Sequence, residues 1–108
     1  MTAGSNRVPN EENLTPTQFL QDLLAEGGAY FNRGDWKGAI RKWDHALESF
    51  IQHQHNPELR PIYQKIWAAK AMAHQQLKEY DKTREAAYIA NTILESLTPK
   101  ADVAEAKD

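Results

Sequence analysis

The 108-residue chain has no cysteine. That excludes disulfides, zinc–thiolate sites and cysteine nucleophiles. Nor does any apolar run approach the roughly 20 residues that a membrane helix needs. The first 14 residues lack the apolar stretch of a signal peptide. A cytoplasmic protein without membrane insertion is the expectation. There is no Gly-rich phosphate loop, and Ser5, Ser49 and Ser96 are isolated, with no nucleophile elbow around them. Asp44, Glu48 and Glu85 fall on amphipathic helical patterns, where a carboxylate is usually a solvated charge. His45, His53 and His55 are close in sequence, but on a helix they do not share a face, and no carboxylate completes a ligand motif. These absences predict a non-enzyme with no metal and no cofactor. A formal net charge of −2 gives no global field of the kind that marks a nucleic-acid binder.

What is present is helical patterning. Apolar residues make up 41% and charged residues 26%, enough for one core with a solvated surface. Residues 1–14 read as a flexible polar arm. Thr15-Pro16-Thr17-Gln18 is a helix start: Thr15 can cap, Pro16 suits the first position, and Gln18 can close a capping box. Phe19, Leu20, Leu23, Leu24, Tyr30 and Phe31 follow at helical spacing, with an exit at Gly34. Asp35 is expected to cap a second helix whose apolar stripe runs through Trp36, Ala39, Ile40, Trp43, Ala46, Leu47, Phe50 and Ile51. It should fade over residues 52–55, before Asn56-Pro57. A third helix is predicted from about Glu58 to Lys78, with Pro61 in its first turn, and a fourth from Asp81 as cap to about Leu97. The fourth helix's inner stripe is read as Thr83, Ala87, Ala90, Leu94 and Leu97, with Thr98-Pro99 as its stop. The domain is therefore placed at residues 15–98, followed by a polar tail at 99–108. The fold class is all-α.

The two predicted hairpins repeat. Gly34-Asp35-Trp36 and Glu79-Tyr80-Asp81 each set an aromatic at a tight interhelical turn, and aligning Trp36 on Tyr80 gives a period of 44 residues. Periods of this size mean stacked supersecondary units. In the first hairpin, Leu23, Gly27 and Tyr30 are followed by Gly34, Trp36, Ala39, Trp43, Ala46 and Leu47. This pattern resembles the tetratricopeptide repeat, in which small residues let two helices approach and large ones fill the space between. The second hairpin follows with Trp67, Ala71, Tyr80 and Ala90, but departs from the pattern at His74 in the Tyr place, Thr83 in a usual Ala place and Ala87, in register, in the aromatic place. Glu26 and Lys70 stand where the pattern is apolar. The period is also about ten residues longer than the common unit of about 34, and the excess lies around Phe50 to Pro61.

The resemblance implies four helices in two antiparallel hairpins, stacked as a short right-handed solenoid. It also implies a binding groove lined by the first helix of each hairpin. Carried over by register, the groove would present Gln21, Leu24, Gly28, Phe31 and Asn32, then Lys65, Ala68, Met72, Gln75 and Gln76. Such mixed apolar and amide chemistry suits a peptide. The Lys/Asn set with which chaperone-binding relatives clamp a terminal carboxylate is absent, since Leu24, Gly28 and Met72 occupy those places. Leu24 and Phe31 are equally readable as core. Two repeats are fewer than the three such folds normally need, so Phe50, Ile51, Tyr88, Ile89 and Ile93 are candidates for a face covered by another chain, homo-oligomer included.

The leading expectation is a non-catalytic adaptor or scaffold that binds a protein segment or partner subunit in a larger complex. One alternative is a nucleic-acid binder. Residues 36–84 carry nine Lys/Arg against five Asp/Glu, with Lys37, Arg41, Lys42, Arg60, Lys65, Lys70 and Lys78 as a possible basic surface. The other is a self-assembling helical subunit with no peptide ligand.

Overall fold

A computed structural model describes residues 15–49 and 51–97. The N-terminal arm, Phe50, the Thr98-Pro99 stop and the C-terminal tail lie outside the described residues. Within them the chain forms four α-helices and no strand: α1 (Pro16–Asn32), α2 (Trp36–Ser49), α3 (Arg60–Gln76) and α4 (Tyr80–Leu97). A short 3₁₀ turn, Ile51–His53, follows α2.

The helix ends show how local chemistry sets these bounds. Thr15 Oγ1 accepts the Gln18 N–H at 3.0 Å, so the predicted cap is made. The capping box is not. The Gln18 side chain instead donates to Asp22 Oδ1 one turn ahead, at 3.1 Å. Asp35 Oδ1 accepts the Gly38 N–H at 2.9 Å and caps α2. The cap assigned to Asp81 is wrong. α4 begins at Tyr80, one position after Glu79, whose carbonyl accepts the Thr83 N–H at 2.9 Å. Asp81 lies in the first turn, where it pairs with Arg84. α3 starts at Arg60, two residues later than predicted. Asn56 holds the preceding loop, its Oδ1 accepting the Glu58 N–H at 2.9 Å and its carbonyl accepting those of Leu59 and Arg60.

The 44-residue repeat extends to the backbone of both turns. Gly34 sits at φ +83° and Lys78, its counterpart, at φ +61°. Gly34 N–H donates to the Phe31 carbonyl and Asp35 N–H to that of Tyr30; Lys78 and Glu79 donate to the corresponding Gln75 and His74. The same left-handed residue therefore ends the first helix of each hairpin, and it stops α3 at Gln76 rather than Lys78.

Packing follows chain order: α1 lies on α2, α2 on α3 and α3 on α4, with α1 also reaching α3. The core joins Leu20, Leu23, Ala39, Trp43 and Ala46 of the first hairpin to Leu59, Ile62, Tyr63, Ile66 and Ala73. α4 buries only Ala86 and Ala90, with Ile93 packed partly against the core. Its inner stripe is thus Ala86, Ala90 and Ile93. Leu94 is nearly half exposed, contrary to expectation, because the inward face passes one residue before it. Ile51, expected in the buried stripe of α2, is 59% exposed, since the α-helix has ended and the 3₁₀ turn rotates it outward.

The close approach of α1 and α2 has a specific origin. A Cβ at Gly27 would stand 2.1 Å from Trp43 Nε1. The indole, only 2% exposed, lies against the bare glycine and donates from Nε1 to the Leu24 carbonyl at 3.1 Å. In the second hairpin the corresponding pair is Ala71 and Ala87. Alanine on both sides replaces the large-and-small pair.

Candidate functional site

The α1–α3 pair encloses an opening. A cavity of about 220 Å³ opens there, lined by Leu24, Gly28, Phe31 and Asn32 from α1, Ala69 and Met72 from α3, and Trp43 from α2. Five of the ten residues assigned from register therefore converge: Leu24, Gly28, Phe31, Asn32 and Met72. Gln21, Lys65, Gln75 and Gln76 are exposed and lie off the cavity, as does the half-buried Ala68. Leu24, Gly28 and Phe31 recur at steps of four and three, and Ala69 and Met72 at a step of three, so each set shares one face; the residues left outside continue the same steps further along each helix. Trp43 and Ala69 were missed. Ala69 was legible as the residue three before Met72. Trp43, a core residue, also lines the cavity.

The cavity wall is held in place by aromatic contacts. The Phe31 ring meets Trp36 edge-on, with centroids 4.8 Å apart at 67°, and lies 6.3 Å from Trp43. Phe31 and Leu24 are half-buried and pack against the core cluster while lining the groove. Met72 is different. It is 53% exposed, an unbranched side chain at the mouth of an apolar cavity. Gly28 has open space where a Cβ would stand, so no side chain fills the groove at that point.

The charged residues at the two anomalous positions link helices. Glu26 of α1 pairs with Lys42 of α2 at 3.1 Å. Lys70 of α3 pairs with Asp44 of α2 at 2.6 Å, and its ammonium also lies 4.4 Å from the Trp67 ring centroid. The Lys70 side chain is only 12% exposed, so its stem packs between hairpins while its charge is met from both sides. Of the seven basic residues suggested as a surface, Lys42 and Lys70 thus hold carboxylate partners, and Arg60 is hydrogen-bonded to Ser96 and the Gln54 carbonyl.

His74 takes the place held by Tyr30 in the first hairpin, and it is buried. Its Nδ1 donates to Glu79 Oε1 at 2.8 Å across the turn. That hydrogen bond holds the Glu79 carboxyl below its usual range; partial burial opposes it, and the charges of Lys82, His74 and Lys37 add to it. Burial pushes the Tyr63 phenol up. The His45 ring lies tilted at 56° to Phe19, 6.3 Å between centroids, and His55 Nδ1 is 3.5 Å from the Arg60 guanidinium. Among the described residues no three His, Asp or Glu side chains converge as metal ligands do. No helix among them is long and apolar enough to cross a membrane.

The residues assigned to an open face also meet. Ile51, Tyr88, Ile89 and Ile93 line a second, larger cleft of about 350 Å³, on the side of α3 facing α2 and α4. Comparison with protein-family models, with curated proteins and with solved structures found no match for the chain.

Proposed function

We propose that the protein is a non-catalytic interaction module, an adaptor or scaffold built from two tetratricopeptide-type hairpins, which holds a protein segment in the groove between α1 and α3. The short right-handed solenoid belongs to the same reading. The observation that carries it is Met72. A large apolar side chain stands half-exposed over an apolar cavity whose opposite wall, Phe31, is fixed by Trp36. Apolar walls with the Asn32 amide at the edge suit a segment that inserts one or two apolar side chains and bonds its backbone to the rim. The matching turns at Gly34 and Lys78 and the Gly27–Trp43 contact support the repeat reading on which the groove assignment rests.

A displayed peptide library selected on the immobilised protein tests the proposal. Selected peptides should carry a common apolar anchor and should be retained by the wild type but not by Met72→Ala. Selection that converges on nothing, or on peptides insensitive to Met72→Ala, would remove the groove from consideration. The nucleic-acid alternative predicts binding at low salt that falls steeply as salt is added.

A further inference from the structure

The larger cleft has a composition the groove does not share. α2 and α4 both pack on α3 and scarcely on one another, so α3 forms a floor between two walls. Tyr63 and Trp67 make that floor; Leu47 and Ile51 stand on one side, Tyr88 and Ile89 on the other. Both lips are apolar and open: Tyr88 is 72% exposed and Ile51 more than half. Arg60, at the end of the floor, bears the one formal charge fixed on the cleft lining.

Arg60 is held rigidly but not neutralised. Its Nε and Nη2 donate to Ser96 Oγ at 3.3 and 2.8 Å, and Nη1 donates to the Gln54 carbonyl at 3.2 Å and faces His55 Nδ1. Ser96 Oγ in turn donates to the Ile93 carbonyl at 2.6 Å. Every partner is neutral or an imidazole, and no carboxylate among the described residues pairs with the guanidinium. Lys70 and Lys42, by contrast, do have carboxylates. The neutral partners leave the guanidinium its full charge and one Nη2 N–H for an incoming carboxylate.

The geometry points to a second interaction surface: the cleft takes an acidic amphipathic segment of a partner protein, its apolar side chains between Ile51 and Tyr88 and a carboxylate on Arg60. The cleft follows Arg60, Tyr63 and Trp67, which are three and four residues apart on α3, and so runs about two helical turns, or about 10 Å. That length matches two apolar residues on one face of a helix. The exposed lips favour a macromolecular occupant, which covers them, over a small acid, which would not. The proposal rests on the reading of the protein as an interaction module but concerns a different surface, and the two are separable by variant.

The test uses three labelled amphipathic helical peptides with identical leucine positions and with Glu, Gln or Lys on the polar flanks, titrated into the intact protein by fluorescence anisotropy. The Glu peptide should bind at least tenfold more tightly than the Lys peptide, with the Gln peptide between them. Arg60→Gln should abolish that order, Tyr88→Ala should weaken all three, and Arg41→Gln, an exposed cation off both openings, should change nothing. Equal affinities for the three peptides, or an order that survives Arg60→Gln, would overturn the proposal. So would concentration-dependent self-association that is blocked by Tyr88→Ala in the absence of peptide, because the occupant would then be a second copy of this chain. If Arg60→Gln does not fold cooperatively, the order of the three peptides on the unaltered protein and its response to Tyr88→Ala decide the matter.

Discussion

Two adjacent glycines in α1 face opposite demands. Gly27 is pressed against the Trp43 ring, and a methyl there would overlap it; Gly28 looks onto open space. Helix propensity alone favours alanine over glycine at either place by about 1 kcal/mol. At Gly27 the clash prevails, because the obstacle is a buried indole fixed by its bond to the Leu24 carbonyl, and overpacking of this kind costs about 1–3 kcal/mol or more. Gly27→Ala should therefore destabilise by about 2 kcal/mol net, while Gly28→Ala should stabilise by up to about 1 kcal/mol. Urea denaturation of the two variants beside the parent gives the comparison. Equal effects at the two sites would mean that the indole does not sit as described. The Gly27–Trp43 pairing was legible from residue types and spacing, since one small and one large residue at facing positions is a local signature. The involvement of Trp43 in the groove was not, because which edge of a buried ring remains reachable depends on three helices at once.

The hairpin turns argue at the scale of the element. Both use a left-handed residue, but only the first supplies glycine for it. For an L-residue this conformation costs roughly 1–2 kcal/mol, part of which is offset by the greater freedom of glycine in the unfolded chain. Lys78→Gly is expected to raise stability by up to about 1 kcal/mol, measured as the shift in denaturation midpoint; a lower midpoint would contradict the geometry of the turn. The second turn compensates in another way, through the bond from His74 to Glu79. Since the folded-state pKa of Glu79 is lowered, its carboxylate contributes fully above the ordinary glutamate value of about 4.3 and loses that contribution as the pH falls through the lower folded value. Glu79→Gln should therefore have a lower midpoint than the parent near neutrality, and the two should converge in acid. A gap that persists or widens on acidification would show that the carboxylate is not the stabilising form.

Element boundaries were legible wherever a local signal fixed them. Thr15, Asp35 and Gly34 each act on backbone within three residues, and each does what its type suggests. Beyond the Asp81 cap and the Gln18 capping box, the errors came where tertiary contact decides. Leu59 is buried in the core although it precedes α3, and nothing in its neighbours announces that. In α4 the alanines at 86, 87 and 90 fall on more than one face, so periodicity alone did not distinguish Ile93 from Leu94 as the inward residue. The groove was half legible for the same reason: register put the right helices together, while the actual crossing of α1 on α3 selected Leu24, Gly28, Phe31, Asn32 and Met72 and left Gln21, Lys65, Ala68, Gln75 and Gln76 outside the cavity.

Across the whole molecule the two hairpins are unequal. The first shares a continuous core with α3, whereas α4 is attached to α3 largely through alanines. Two apolar openings flank α3 on different sides, one bounded by α1 and the other by α2 and α4. A protein with this arrangement presents its apolar surface in the gaps between helices, where segments of other proteins can enter, and the α1–α3 gap is the one assigned the main role. The most direct measurement is quantitative affinity capture from native extract by the wild type and by a Phe31→Ala/Met72→Ala variant, with the folding cooperativity of each protein recorded alongside. At least one protein should be retained by the wild type and lost by the variant, while the variant still unfolds in a single cooperative transition. Identical sets of retained proteins, or a variant that no longer folds, would contradict the account, because Phe31 and Met72 would then serve the core rather than a partner.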